Sequence, residues 1–316
     1  MHRRTFLAAL PALTTLPALA QTRPTRLIVG AAAGGTTDLL ARELAEEMRA
    51  SLGITAVVEN RAGAGGNIAA DHVAKSPPDG TTLLVAFTSH TMNAALFKRL
   101  PYDPVADFTP ISQIARVSSA LLVRPASPYR TLADLLAAAR AKPDAISLAI
   151  GGIGSSLHMD TAQFRTRTGI TGPEVPYRGS APALTDVLAG QVDAMFAPMG
   201  QAIAQAQGGT ARVLAVSAPD RIPALPDAVT LAEALPGYPQ SFGWFGLLGP
   251  AGMAPDVVQR LHGVVARAVA GERLKARFAL EASQGVASAP GDFRTFLVQD
   301  IAHWQSVARA AKIEPE

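Results

Sequence analysis

The sequence predicts an α/β protein of two domains, each a mainly parallel sheet flanked by helices, joined by two chain crossings. Three observations carry this. Short apolar runs alternate with helix-period stretches through residues 26–87, the rhythm of β-α-β units on a parallel sheet. That rhythm lapses after Pro101-Tyr102-Asp103-Pro104 and restarts at Thr131. A late apolar run at 244–248, followed by three long helical stretches, then returns the chain to where it began. On this reading residues 21–123 together with 241–316 form the first domain, and 124–240 the second.

Taken in order, residues 26–29 are a short apolar strand. Thr37 or Asp38 can cap the next helix, whose Leu40, Leu44, Met48 and Leu52 recur every four residues until Gly53 stops it. A strand at 55–59 and a helix at 68–75 follow, the helix closed by Ser76-Pro77-Pro78-Asp79-Gly80. Residues 82–87 are a third strand, and 111–123 read as two short strands separated by polar residues. Thr131 and Asp134 have the spacing of a capping box, opening a helix to 141. The second domain continues as strand 146–150, helix 158–168, strand 174–177, helix 183–188, and strands 192–196 and 212–216. Helices at 255–270, 272–282 and 292–312 complete the first. Ligands of open α/β sheets bind outside the carboxyl ends of strands. Two such edges facing each other make a clamp that closes by a hinge.

Composition removes several function classes. The chain opens Met1-His2-Arg3-Arg4-Thr5-Phe6-Leu7, stays apolar and small, and offers Ala18-Leu19-Ala20 before Gln21. That is the pattern of an export signal over residues 1–20, cleaved after Ala20. Arg3-Arg4 also fits a twin-arginine motif, so the Sec and twin-arginine routes both stay open. Pro11 and Pro17 interrupt a stretch too short to span a bilayer, and without cysteine there is no lipid attachment, disulfide, thiol nucleophile or thiolate metal site. The expectation is a soluble periplasmic protein. Without Arg3 and Arg4 the excess of 28 basic over 25 acidic side chains falls to about +1, so nucleic acid is not an expected partner.

The chemistry-bearing signals are three helix starts preceded by small residues. Gly30-Ala31-Ala32-Ala33-Gly34-Gly35-Thr36-Thr37-Asp38 runs from the first strand into a helix. Such a start leaves backbone N–H groups aimed at one point, ready for an anion. Thr36 and Thr37 add hydroxyl donors, while Asp38 is placed to orient the loop rather than to touch an anion. Neither a P-loop lysine nor a G-x-G-x-x-G spacing is present, which argues against nucleotide. The second start is Gly151-Gly152-Ile153-Gly154-Ser155-Ser156-Leu157-His158. Ser155 or Ser156 would cap the helix, and His158 either meets a ligand carboxylate or packs neutral on the helix. The third is Tyr177-Arg178-Gly179-Ser180-Ala181, with Ser180 as the cap and Arg178 either gripping a carboxylate or lying in solvent. Ser89 and His90 follow the third strand and should sit beside the first loop. His72, His262 and His303 fall on helical patterns as surface or packing residues. No paired-histidine spacing offers a metal site, and no cofactor is called for. A rival reading, an exported hydrolase using Ser155 or Ser156 with His158, lacks both the G-x-S-x-G spacing and a third member.

Taken together, several segments resemble the solute receptors of tripartite tricarboxylate transporters, the Bug family. They are Ala33-Gly34-Gly35-Thr36-Thr37-Asp38, Val58-Glu59-Asn60-Arg61-Ala62-Gly63-Ala64-Gly65-Gly66-Asn67, Pro78-Asp79-Gly80-Thr81-Thr82-Leu83 and Leu100-Pro101-Tyr102-Asp103-Pro104. Val175-Pro176-Tyr177-Arg178-Gly179-Ser180-Ala181-Pro182, Gly190-Gln191-Val192-Asp193 and Trp244-Phe245-Gly246-Leu247-Leu248 complete the set. The resemblance covers essentially the whole chain beyond the export signal. It implies a periplasmic-binding-protein fold (Venus flytrap, type II-like) and no enzyme activity. It implies a monomer that delivers a small carboxylated solute to a large and a small integral membrane subunit; a receptor that reports occupancy to a membrane sensor is the alternative. The ligand positions it implies are residues 33–38, Ser155, Ser156, His158, Tyr177, Gly179, Ser180 and Ala181. Two departures stand out: Ala31 replaces an aromatic of the first loop, and Ala197 with Pro198 stands where an Asp is common. The expected ligand is therefore a bulkier or more apolar carboxylate, without recognition of an α-ammonium group.

Overall fold

The computed structural model describes residues 24–152, 155–240 and 242–315; the expected export signal over 1–20 and the candidate Gly154 fall outside them. Two six-stranded sheets organise the chain. The first begins with β1 (Thr25–Val29), α1 (Thr36–Leu52), β2 (Ala56–Asn60), α2 (Asn67–Ala74), β3 (Thr82–Phe87), α3 (Ser89–Leu96) and β4 (Phe108–Val117). The second holds β5 (Ser119–Val123), α4 (Leu132–Ala141), β6 (Leu148–Ile150), α5 (Ser156–Thr168), β7 (Glu174–Pro176) and α6 (Ser180–Ala189). It continues with β8 (Ala194–Pro198), α7 (Met199–Gln207), β9 (Arg212–Val216), β10 (Val229–Thr230) and α8 (Leu231–Ala234). The chain then returns through β11 (Gly243–Pro250), α9 (Pro255–Ala270), α10 (Glu272–Glu281), β12 (Gln284–Gly285) and α11 (Pro290–Ala310).

Strand order is β12-β4-β11-β3-β1-β2 in the first lobe and β10-β9-β5-β8-β6-β7 in the second. The β2-β1-β3 and β7-β6-β8 pairings are parallel, whereas β11 runs antiparallel to β3 and β4, and β5 antiparallel to β8 and β9. Each sheet is thus mixed, and β10 adds a second parallel pair with β9 at the edge of the second. Because β5 hydrogen-bonds only within the second sheet, the chain crosses at Ser118 and not after Val123. The short link leaves β5 no route back to the first sheet.

Both sheets are covered on both faces, so alternate residues of one strand enter different cores. Leu27 and Val29 pack with Leu40, Leu44 and Met48 of α1 and Val264 of α9, while Ile28 meets Trp244 and Phe293 on the other side. In β5, Leu122 and Leu121 divide between the two second-lobe cores in the same way. A fifth cluster joins the lobes: Met159 and Ala162 of α5 with Met92 and Leu96 of α3 and Trp304 and Val307 of α11.

Three local expectations need correction. The cap of α1 is Gly35, with Thr37 and Asp38 inside the first turn. The cap of α6 is Gly179, which adopts φ 112°, so Ser180 is the first helical residue. Helices α3 and α7 form where the sequence reading placed only a polar strand end and no element.

Candidate functional site between the lobes

A cavity of about 600 Å³ opens between the two lobes. Its floor is the pair of crossings, Val117-Ser118-Ser119 and Gly243; Thr36 and Phe245 come from the first lobe, Ser156, Leu157 and Asp160 from α5 of the second. Pro198, Met199, Gly200, Gln201 and Ile203 continue the second wall, and Leu280 and Glu281 at the end of α10 close the rim. Leu280 is 77% exposed although apolar.

The first glycine loop is held from inside. Gly34, at φ 85°, donates its N–H to Asp38 Oδ2 at 3.0 Å, and Arg42 Nε donates to the same oxygen at 2.9 Å. The Arg42 bond, ahead of the Gly34 amide, keeps the buried Asp38 carboxyl below the ordinary carboxylate range. Asp38 therefore spends its charge on the loop, and Thr36 lines the cavity. Gly35 gives α1 no side-chain cap, and among the described residues no side-chain acceptor is seen for its first N–H groups. Gly30 is needed for packing: a Cβ there would lie 2.8 Å from Gly66 Cα. Ala31 rests against the first core, its carbonyl accepting from Asn60 Nδ2 at 3.2 Å; Ala33, Gly34 and Gly35 are exposed.

In the second loop Ser155 is the cap. Its hydroxyl accepts the His158 N–H at 3.2 Å and donates to the Gly152 carbonyl at 2.8 Å, which spends it on the turn and leaves Ser156 facing the cavity. His158 is buried, with Nε2 3.9 Å from Glu174 Oε2, and burial lowers its pKa. Burial thus disfavours the charged imidazole, and the bonds named here do not assemble the nucleophile–base geometry of a hydrolase.

The third loop supports the second. A Cβ on Gly151 would lie 3.1 Å from Ser180 N, so the two backbones touch. Tyr177 donates its hydroxyl to Asp186 Oδ2 at 2.7 Å, and burial followed by that carboxylate pushes the phenol up to about 12. Arg178 and Ala181 are exposed, and among the described residues the cavity wall contains none of Tyr177, Arg178, Gly179, Ser180 or Ala181.

Three further candidates do not line this cavity. The Ser89 hydroxyl donates to the Gly65 carbonyl at 2.6 Å. His90 is buried, donating from Nε2 to the Pro104 carbonyl at 2.9 Å, stacked on Tyr102 and edge-on to Phe108. Burial lowers its pKa to about 4, so it is neutral packing material. Ala197 sits on β8 opposite Ala120, fully buried in a second-lobe core; the wall is reached by Pro198 instead. Among the described residues no group of acidic, His or Cys side chains is arranged for a metal ion.

Of the residues named from sequence, Thr36 and Ser156 line this cavity; Ser118, Ser119, Asp160, Gly200, Phe245, Leu280 and Glu281 line it too and were not among those named. For Asp160 a signal existed: it lies four residues beyond Ser156, on the same helical face. The others are brought to the cleft by the crossings, which local patterns do not encode.

Two mixed α/β lobes with a cleft at their crossings define the class of two-lobed solute-binding receptors. The chain belongs to the tripartite tricarboxylate transporter family of receptors, TctC, whose family profile matches residues 40–312. It is 34% identical over 291 residues to protein BugT of Bordetella pertussis, covering 91% of this chain and 89% of that protein. Among solved structures it is similar to Rpa4515 of R. palustris with adipate, at 35% identity and TM-score 0.79, covering 94% of this chain and all of that one. MatC of Rhodopseudomonas palustris with bound malate is similar at 31% identity and TM-score 0.75, covering 91% of this chain and 99% of its own. The receptors of this family bind solutes; none of these relatives is described as an enzyme.

Proposed function

We propose that this chain is an exported receptor that captures a small carboxylate in the cleft between its lobes. It then delivers that solute to a tripartite tricarboxylate-type membrane transporter of one large and one small integral subunit. The observation that carries the reading is that two helix starts from different lobes, Thr36 of α1 and Ser156 of α5, line one cavity. Backbone N–H groups there supply anion contacts without a buried cation, and closure removes competing water. The adipate and malate held by the R. palustris relatives support the ligand class. The family supports the transporter as partner. The pattern of residues 1–20 supports export to the periplasm, and among the described residues no helix is long and apolar enough to cross a membrane. Leu157, Ile203, Phe245 and Leu280 give the wall an apolar stretch suited to a hydrocarbon spacer.

Calorimetry with a series of mono-, di- and tricarboxylates tests the reading. A true ligand is expected to bind the wild type and to lose about 3- to 10-fold in affinity in Thr36→Ala and again in Ser156→Ala, the loss of one hydrogen bond each. Binding that is indifferent to both substitutions would place the carboxylate elsewhere.

A further inference from the structure

A second hollow, of about 650 Å³, lies on the second lobe between α4 and the β9–β10 edge of its sheet. It is remote from the cleft. β5 starts at the crossing with Ser119, and Arg212, the first residue of β9, stands opposite Val123 at the other end of β5, about 13 Å along the strand. The buried Leu136 and Leu214 line the hollow, with Arg130, Arg140 and Arg212 around them; Asp227 is the one acid among the described lining residues. Among the described residues none of the three arginines takes part in an ion pair. Asp134, beside Arg130, is engaged by the Arg130 and Thr131 N–H groups at the start of α4. The basic hollow of the first lobe differs: its Arg26 and Arg61 share Glu59, and its Lys75 holds Asp71.

Arg212 carries the strongest signal. It is half-buried, and its Nη1 is shut away from solvent without a hydrogen-bond partner. A guanidinium keeps its charge, so a shielded donor without an acceptor costs stability. Such local costs are expected where a protein binds something. The spread of charge says what. Leu132, Leu136 and Arg140 recur every four residues on the face of α4 that lines the hollow, and the ten residues from Arg130 to Arg140 rise about 15 Å. A compact anion meets one end of that spread. An extended chain meets all of it, because its alternate residues stand about 7 Å apart on one side. Val229 of β10, the edge strand of the sheet, also lines the hollow, and sheet edges accept extended chains. We infer that this hollow docks an extended acidic segment of a partner protein, with acids at alternate residues received by Arg130, Arg212 and Arg140. The site is independent of carboxylate capture in the cleft.

The test is fluorescence anisotropy on the full protein without its export signal, at near-physiological salt. The probes are a labelled peptide of alternating Ser and Asp with blocked termini, and the same peptide with Asn for Asp. The Asp peptide is expected to bind about tenfold or more tightly than the Asn peptide, as for charge-assisted hydrogen bonds. Arg212→Met is expected to weaken it about 3- to 10-fold while the urea midpoint is held or raised, since an unsatisfied donor is withdrawn. The double variant Arg130→Gln/Arg140→Gln, at two exposed positions, is expected to weaken it at least as much. Arg260→Gln, on α9 of the first lobe, is expected to change nothing, and affinity of the cleft for its solute is expected to stay the same in every variant. Equal binding of the two peptides, or of neither, overturns the proposal. Undiminished binding in Arg212→Met and in the double variant overturns it too. Pyrophosphate displacing the peptide at equal concentration would show a site for a compact anion and overturn the docking of an extended segment.

Discussion

His90 and Asp300 flank the same buried indole with opposite titration behaviour. The His90 ring lies 6.5 Å from that of Trp244, whose Nε1 donates to Asp300 Oδ2 at 3.0 Å; Thr91 Oγ1 donates to the same oxygen at 2.6 Å. Burial lowers the His90 pKa from 6.5 to about 4, and burial raises that of Asp300 from 3.8 to about 6. As pH falls from 6.5 to 4, the unfolded chain takes up the His90 proton before the folded one, so stability declines. Between about 6 and 3.8 the folded chain takes up the Asp300 proton first, so stability rises. Each amounts to about 3 kcal/mol at 1.36 kcal/mol per pKa unit, and the two largely cancel. Asp300→Asn should therefore expose a loss of up to about 3 kcal/mol between pH 6.5 and 4 in urea unfolding, and His90→Gln a gain in the same range. Profiles indistinguishable from wild type would refute the assignment. Asp38 behaves in the ordinary sense: its lowered pKa gives stability at neutral pH that is lost as pH falls through the acid range. Half of the Arg42 side chain is exposed, which screens the pair. Asp38→Asn should therefore cost about 1 kcal/mol at pH 7 and nothing once the wild-type carboxyl is protonated.

Helices announce themselves when their caps are side chains. Thr131 accepts the Asp134 N–H at 3.1 Å and Asp134 returns the bond to the Thr131 N–H at 2.9 Å; that start was legible residue by residue. Helix α7 was not, because its cap is Pro198 with no side-chain bond and its body carries Gly200 and three glutamines. Helix α3 hid behind the polar run Thr88-Ser89-His90-Thr91, which reads as a strand end. The same contrast separates fold from site. The glycine loops are local signals, whereas Phe245, Leu280 and Glu281 reach the cleft only through the return of the chain in β11 and α10. Two substitutions distinguish scaffold caps from site caps. Thr131→Ala removes a cap and should lower stability by about 1 kcal/mol with ligand affinity intact, since α4 lies outside the cleft wall. Gly34→Ala forces a left-handed alanine at φ 85°, costs about 1 kcal/mol, and should weaken binding as well by moving the α1 start. Equal effects on affinity would break the distinction.

At the scale of the molecule, α5 is an element that packs into both lobes and also lines the cavity between them. Its Phe164 is buried in a second-lobe core with Phe196, so the helix moves with that sheet. Its opposite face places Met159 and Ala162 against Trp304 and Val307 of α11 and Met92 of α3, all first-lobe elements. Its first turn, Ser156, enters the cleft. Opening by a rigid rotation about the Ser118 and Gly243 crossings must therefore slide or separate this apolar contact, which opposes opening even without solute. Met159→Ala should cost about 2–5 kcal/mol by leaving a cavity, and it should also shift the lobes toward separation. Small-angle scattering of the unliganded variant should then give a larger radius of gyration, and saturating ligand should restore the wild-type value. Affinity should fall because part of the binding free energy goes into closing the lobes. Leu135→Ala is the matched control, since Leu135 is fully buried in a core made only of second-lobe residues. It should lose comparable stability with dimensions unchanged. Expansion in both variants, or in neither, would remove α5 from this role and leave the crossings alone to set the hinge.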